Sequence, residues 1–255
     1  MKAAAACVRA KSPPWLLPVP RREFCRNWPG LLALALVFSI ALMLTTSCAK
    51  RHTISLTQAA DTGNLEEVKW LLDHGADVNS TDRADGDTPL FYAAGRGYAD
   101  IARYLVSHGA NVNAGGEHGR SALLLAICNH HPELAKWLIE QGADVQVKDK
   151  NGNSALHVVA QYGNAEIARL LIARGAVVDA RGDGGRTPLC ATFAYRVSQL
   201  RDISVAEALL EGGADPNLGW TFDAGVGPGV KTPMEEAAYL KFPELEELLK
   251  KHGAK

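Results

Sequence analysis

Cysteine is scarce where a covalent framework would need it. Of five cysteines in the 255 residues, Cys7 and Cys25 precede the one strongly apolar run and Cys48 follows it, which leaves Cys128 and Cys190 for the rest. Two distant thiols with no C-x-x-C pair exclude a disulfide scaffold. An excess of positive charge is missing too. The first 47 residues hold six of the 27 Lys/Arg and one of the 28 Asp/Glu, so residues 48–255 carry a net −6. No run of Lys/Arg interleaved with aromatics occurs there, so general nucleic-acid binding is not expected. The glycine-rich stretch Gly225-Val226-Gly227-Pro228-Gly229 lacks the G-K-[ST] ending of a phosphate cradle. No nucleophile–base pair, metal constellation or cofactor loop stands out, so neither catalysis nor a cofactor is expected. Apolar residues at 47% and charged residues at 22% fit neither a disordered nor a polytopic chain.

Long apolar runs are limited to one. Leu31 to Leu44 is nearly continuous, follows Arg21, Arg22 and Arg26, and exits into Thr45-Thr46-Ser47-Cys48. Its fourteen residues fall short of the roughly 20 that span a bilayer. Basic head, apolar middle and small-residue exit form the pattern of a secretory signal. The junction resembles a bacterial lipobox, although threonine stands where leucine is commonest. The resemblance implies that Cys48 takes a diacylglycerol and that residues 1–47 are removed as a signal peptide. Residues 48–52 then form an anchor linker, and a lipid anchor holds the chain to a membrane. Ala49 in place of aspartate implies the outer membrane, periplasmic face. The alternative is an uncleaved inner-membrane signal anchor.

Beyond the junction, turn residues recur. Thr88-Pro89-Leu90, Ser121-Ala122-Leu123, Ser154-Ala155-Leu156 and Thr187-Pro188-Leu189 are spaced by 33. Each of the first three leucines is followed 19 residues later by glycine-alanine, at Gly109-Ala110, Gly142-Ala143 and Gly175-Ala176. A Thr or Ser hydroxyl caps a helix, proline fits its first position, and glycine ends the second helix in a left-handed conformation. Gly63, Gly97 and Gly163 suit the turn between the two helices. Alanine pairs such as Ala93-Ala94 let neighbouring helices approach closely. A unit this thin cannot bury its own apolar face, so stacking must complete the core. Leu90, Leu123 and Leu156 are therefore expected inside.

This pattern resembles the ankyrin repeat, with Leu156-His157 between Gly152 and Gly163 the nearest copy. The resemblance implies an all-α solenoid of about six helix-turn-helix units with β-hairpin loops. The domain spans 53–255, in units of about 53–81, 82–115, 116–148, 149–181, 182–219 and 220–255. Two irregularities break the period. Five extra residues enter between the helices of unit five, within Tyr195 to Asp202, and the finger between Gly213 and Met234 is enlarged.

The resemblance also implies a concave face built from hairpin tips and the exposed ends of the first helices. Carried over position by position, the tips are Asp85, Asp87, His118, Arg120, Lys150, Asn151, Asn153, Asp183 and Arg186. The helix ends are Asp61, Thr62, Arg96, Asn129, Gln161, Tyr162, Tyr195 and Tyr239. Trp220 and Phe222 on the enlarged finger either fold back on the body or anchor a partner. Trp70, Tyr104 and Trp137 share one position on the second helix, which reads as packing between repeats. His130 and His131 read as solvated turn residues, because nothing completes a metal set with His118. His74 and His108 sit where a cation suits a helix C-terminus. The function implied is a non-catalytic scaffold that binds a folded protein at the bacterial envelope. One version is an immunity protein that neutralises a toxin. The alternative is an accessory or structural envelope factor supporting a periplasmic enzyme or a stress response.

Overall fold

The structure, a computed structural model, describes residues 54–82, 86–116, 121–194, 203–223 and 228–255. Twelve α-helices lie among the described residues, in six successive pairs. They are α1 (Leu56–Asp61) with α2 (Leu65–Asp73), α3 (Pro89–Arg96) with α4 (Ala99–Ser107), and α5 (Ala122–Cys128) with α6 (Pro132–Glu140). Then follow α7 (Ala155–Tyr162) with α8 (Ala165–Ala173), α9 (Pro188–Ala194) with α10 (Ser204–Glu211), and α11 (Pro233–Tyr239) with α12 (Pro243–Lys251). Each first helix packs on the next first helix, from α1 against α3 through to α9 against α11. No helix among the described residues is long and apolar enough to cross a membrane.

The caps form as the sequence leads one to expect. Thr88 Oγ1 accepts from the Phe91 amide at 3.3 Å, and Ser121 Oγ from the Leu124 amide at 3.2 Å. Thr232 and Glu235 close a reciprocal capping box, at 3.3 and 2.8 Å. Gly97 turns the chain between α3 and α4 with φ 78°, a left-handed conformation that costs a side chain about 1 kcal/mol or more. His130 takes the same turn in the third repeat at φ 59° and Lys241 in the sixth at φ 53°. Alanine pairs line the seams, with Ala59, Ala60, Ala93 and Ala94 fully buried. Leu90, Leu123 and Leu156 are no more than 1% exposed, so the stack supplies the core that one repeat lacks.

A side-chain ladder ties the repeats along the loops after the second helices. Asn79 Nδ2 donates to the Gly109 carbonyl at 3.2 Å, while its Oδ1 accepts from the Asn111 amide at 2.8 Å. Asn113 repeats both bonds onto Gly142 and Asp144, and Gln146 onto Gly175 and Val177. Asn217 does the same onto Gly253 and Lys255. Between repeats four and five the post is Asp179. It accepts from the Asp215 amide at 3.2 Å, but a carboxylate has no proton for the Gly213 carbonyl.

His157 makes a second link between those repeats. Its Nδ1 accepts from the Ser154 amide at 3.1 Å and its Nε2 lies 2.9 Å from the Arg186 carbonyl. Burial holds this imidazole below the ordinary histidine range, which suits a neutral ring with one accepting and one donating nitrogen.

The position shared by Trp70, Tyr104 and Trp137 is half-buried, and its counterparts Ala208 and Leu248 are buried, so it packs rather than forming a bare stripe. His74 stacks on Trp70 at 3.9 Å, with Nδ1 2.8 Å from the Trp70 carbonyl at the helix end. His108 repeats this against Tyr104 at 4.1 Å, also with Nδ1 2.8 Å from the carbonyl.

The enlarged finger is a hairpin of β1 (Trp220–Asp223) and β2 (Pro228–Lys231), antiparallel with Trp220 opposite Lys231. Trp220 points inward at 6% exposure, beneath the Arg186 guanidinium at 5.8 Å. Arg181 Nη1 fastens the hairpin by donating to the Gly185 and Gly219 carbonyls at 2.6 and 2.7 Å. Of the two alternatives for Trp220, the structure selects the ring folded back on the body, because its large apolar area is hidden there. The inserted residues of repeat five lie outside the described residues.

Candidate functional site

The ends of the first helices form a row across the stack. Arg96 Nε donates to Asp61 Oδ1 at 2.8 Å, joining the first two repeats. The pair is exposed, so it orients side chains more than it stabilises them. Asn129 Nδ2 donates to the Gly95 carbonyl at 2.7 Å, joining the second and third. Tyr162 is 42% exposed and meets the His130 ring edge-to-face at 5.5 Å, joining the third and fourth. Gln161 beside it is half-buried. Tyr239 is 75% exposed, with Lys231 Nζ 4.3 Å from its ring centre and Lys231 paired in turn with Glu236. Val230 on β2 is 65% exposed close to this group in sequence.

The finger tips are less available than their sequence positions suggest. Lys150, Asn151 and Asp183 are exposed. Asp87 is only 2% exposed, and its carbonyl accepts from the Asp82 amide at 3.1 Å. Asn153 is buried, since its Oδ1 accepts from the Asp183 amide at 3.0 Å and its Nδ2 donates to Asp149 at 3.2 Å. Arg186 is half-buried over Trp220. Asp87 and Asn153 are therefore buried and not exposed finger tips, because each finger lies on the next and hides polar groups that then need partners, and Trp220 takes the folded-back alternative. Cys48, Asp85, His118, Arg120 and Tyr195 lie outside the described residues. Phe222 lies on β1, with its side chain outside what is described.

Beside Tyr162 a cleft of about 160 Å³ opens between the third and fourth repeats. Ile127, Ala135, Val159 and Ile167 form its floor, and His130, Tyr162 and Asn164 stand at its rim. Sequence reasoning passed over it. The signal was the residue after the inter-helix turn, which is a ring at Tyr98 and His131 in repeats two and three and an asparagine at position 164 in repeat four.

Burial pushes both the Cys128 and the Cys190 thiols up, which keeps them protonated and poorly nucleophilic. Among the described residues no group of three or more His, Cys, Asp or Glu is arranged to hold a metal ion. His130 has an aromatic ring for its neighbour instead.

Known proteins give the same picture. The family described as ankyrin repeats (3 copies) matches over residues 56–149 and again over 133–219. A crystal structure of an ankyrin repeat domain from Acinetobacter baumannii AYE superposes with a TM-score of 0.69 at 28% identity, covering 78% of this chain and 98% of that one. The ankyrin repeat protein FPV223 of Fowlpox virus (strain NVSL) is 49% identical over 43 residues. That alignment takes in 17% of this chain and 30% of the viral protein's length.

Proposed function

Since the chain belongs to the ankyrin-repeat family and is a protein–protein interaction scaffold, we propose that it is a non-catalytic binder tethered at the bacterial envelope. It holds a folded protein against the ends of its first helices. The observation that carries this reading is the row Arg96, Asn129 and Tyr162 on repeats two, three and four, with Tyr239 at the end of the first helix of repeat six. Two tyrosines and an arginine are the residue types that most often dominate a protein interface, while their apolar support stays inside the stack. The tether rests on the sequence alone, through Leu31 to Leu44 and the small residues before Cys48. A lipid-held scaffold suits an immunity protein that must meet an incoming toxin at the membrane surface.

Affinity capture from membranes, with the captured protein identified by mass spectrometry, tests the binding. Tyr162→Ala is expected to weaken capture by about 30-fold, the effect of removing an anchor worth roughly 2 kcal/mol. Capture unchanged in both Tyr162→Ala and Tyr239→Ala would turn the reading to an accessory envelope factor that uses another face. The tether has its own test. Cys48→Ser is expected to leave an uncleaved precursor without lipid. Finding normal acylation on that variant would remove Cys48 as the anchor.

A further inference from the structure

The turn between the helices of a repeat is roofed differently at successive interfaces. Tyr98, just before α4, lays its ring on Gly63 of the preceding repeat, so near that an added Cβ would come within 2.7 Å of it. His131, at the same place before α6, lays its imidazole over Gly97 in the same way. At the next interface both partners change. His130 stands where the glycine was, and Asn164 stands where the ring was. Asn164 turns its Oδ1 to the Ile167 amide at 3.0 Å and stands at the edge of the cleft with no ring to lay over the turn. The space that a ring closes twice is here the cleft of about 160 Å³ with Ile127, Val159 and Ile167 at its base.

We propose that this cleft receives an aromatic side chain of the protein partner, in place of the ring that the chain itself supplies at the two preceding interfaces. The proposal rests on the reading of the chain as a protein-binding scaffold. Its size decides the class of occupant. Pockets for drug-sized ligands run to about 300–1,000 Å³, so this one takes a single side chain. Its chemistry decides the type. An apolar base rejects an unpaired charge. The His130 and Tyr162 rings at the rim suit a third ring packed by edge or offset contact. The cleft is also continuous with the candidate interface, because Tyr162 belongs to both. A partner seated on the exposed row therefore has a side chain's reach to it.

The test uses the full chain in detergent solution, with methyl groups of Ile127, Val159 and Ile167 followed by NMR. The probes are N-acetyl-tyrosinamide, N-acetyl-phenylalaninamide, N-acetyl-leucinamide and free tyrosine. The two aromatic amides are expected to shift those methyls saturably, with Kd on the order of 1 mM. The leucine amide should bind at least several-fold more weakly. Asn164→Ser keeps the cap and the opening, and should keep the shifts. His130→Gly with Asn164→Tyr rebuilds the Gly63–Tyr98 pair and should melt no lower than the parent while abolishing the shifts. Asn164→Phe is a second blocker that leaves His130 in place. Absence of saturable shifts in the parent, or their survival in either folded blocker, would overturn the proposal. Tighter binding of the leucine amide would overturn the aromatic assignment. Tighter binding of free tyrosine than of its blocked amide would mark a site for a free amino acid instead. An adventitious additive only would show as equal, non-saturating shifts with every probe, and that also counts against it. No partner is present in this experiment, so its failure leaves capture through Tyr162 standing, and failure of capture leaves ring binding standing.

Discussion

Gly97→Val lowers the midpoint of thermal unfolding by roughly 10 °C, and Gly163→Val lowers it by about half as much. Both residues hold a left-handed backbone, at φ 78° and 77°. A β-branched side chain there costs roughly 1–3 kcal/mol in strain alone. The two sites differ in what lies above them. Among the described residues an added Cβ at Gly163 meets nothing within 4 Å, whereas at Gly97 it runs into the His131 ring. Moving that ring disturbs the second helix of the next repeat, so Gly97→Val carries strain and lost packing together, about 3 kcal/mol or more. One kcal/mol corresponds to about 2–4 °C for a domain of this size. Circular dichroism on both variants reads the comparison directly. Equal midpoints would mean that the imidazole gives way without resistance. An unchanged midpoint for Gly163→Val would mean that the left-handed turn places no demand on its residue.

The stack was legible because its rule is local and repeated. Thr88, Ser121 and Thr232 cap their helices within three residues, and the turn glycines act through their own φ, so neither needs knowledge of the rest of the chain. The candidate face was legible only in part. The ends of the first helices point where the repeat rule sends them, so Arg96, Asn129, Tyr162 and Tyr239 lie on the surface. The fingers obey a second rule, set by how one hairpin lies on the next. Asn153 is taken up by Asp183 thirty residues on, and Trp220 is drawn under Arg186, and neither contact leaves a local mark. The cleft is harder still to read, because it arises from a residue that is small relative to its counterparts. Asn164 alone is an unremarkable helix cap; beside Tyr98 and His131 it is a missing roof.

The same comparison across repeats leads to the last expected result. Asp179→Asn stabilises the chain by about 1 kcal/mol near neutral pH, the net worth of one intramolecular hydrogen bond. At every other described rung an amide side chain both accepts from the next repeat's backbone and donates to it, at Asn79, Asn113, Gln146 and Asn217. Asp179 only accepts, from the Asp215 amide. Asparagine restores a donor for the Gly213 carbonyl. The charged groups that act on Asp179 pull in both directions. Burial and the Asp215 carboxylate raise its pKa, burial most, while the Asp215 amide and Arg181 lower it, and the balance is upward. The folded chain therefore holds this proton to higher pH than the unfolded chain does. The stability it contributes is fully present below the ordinary value of 3.8 and is lost as pH rises through the raised folded value. His157 works in the opposite sense, since its lowered value gives stability above 6.5 that is lost as pH falls through the folded one. Titrating the parent alone would mix the two. The difference between Asp179→Asn and parent isolates the aspartate, and it should grow with rising pH through the acid range and level off by neutrality. Urea unfolding at pH 4 and pH 7 measures it. A stabilisation equal at both values would assign the gain to packing, and a loss at pH 7 would show that the Asp179–Asp215 rung depends on the carboxylate's charge.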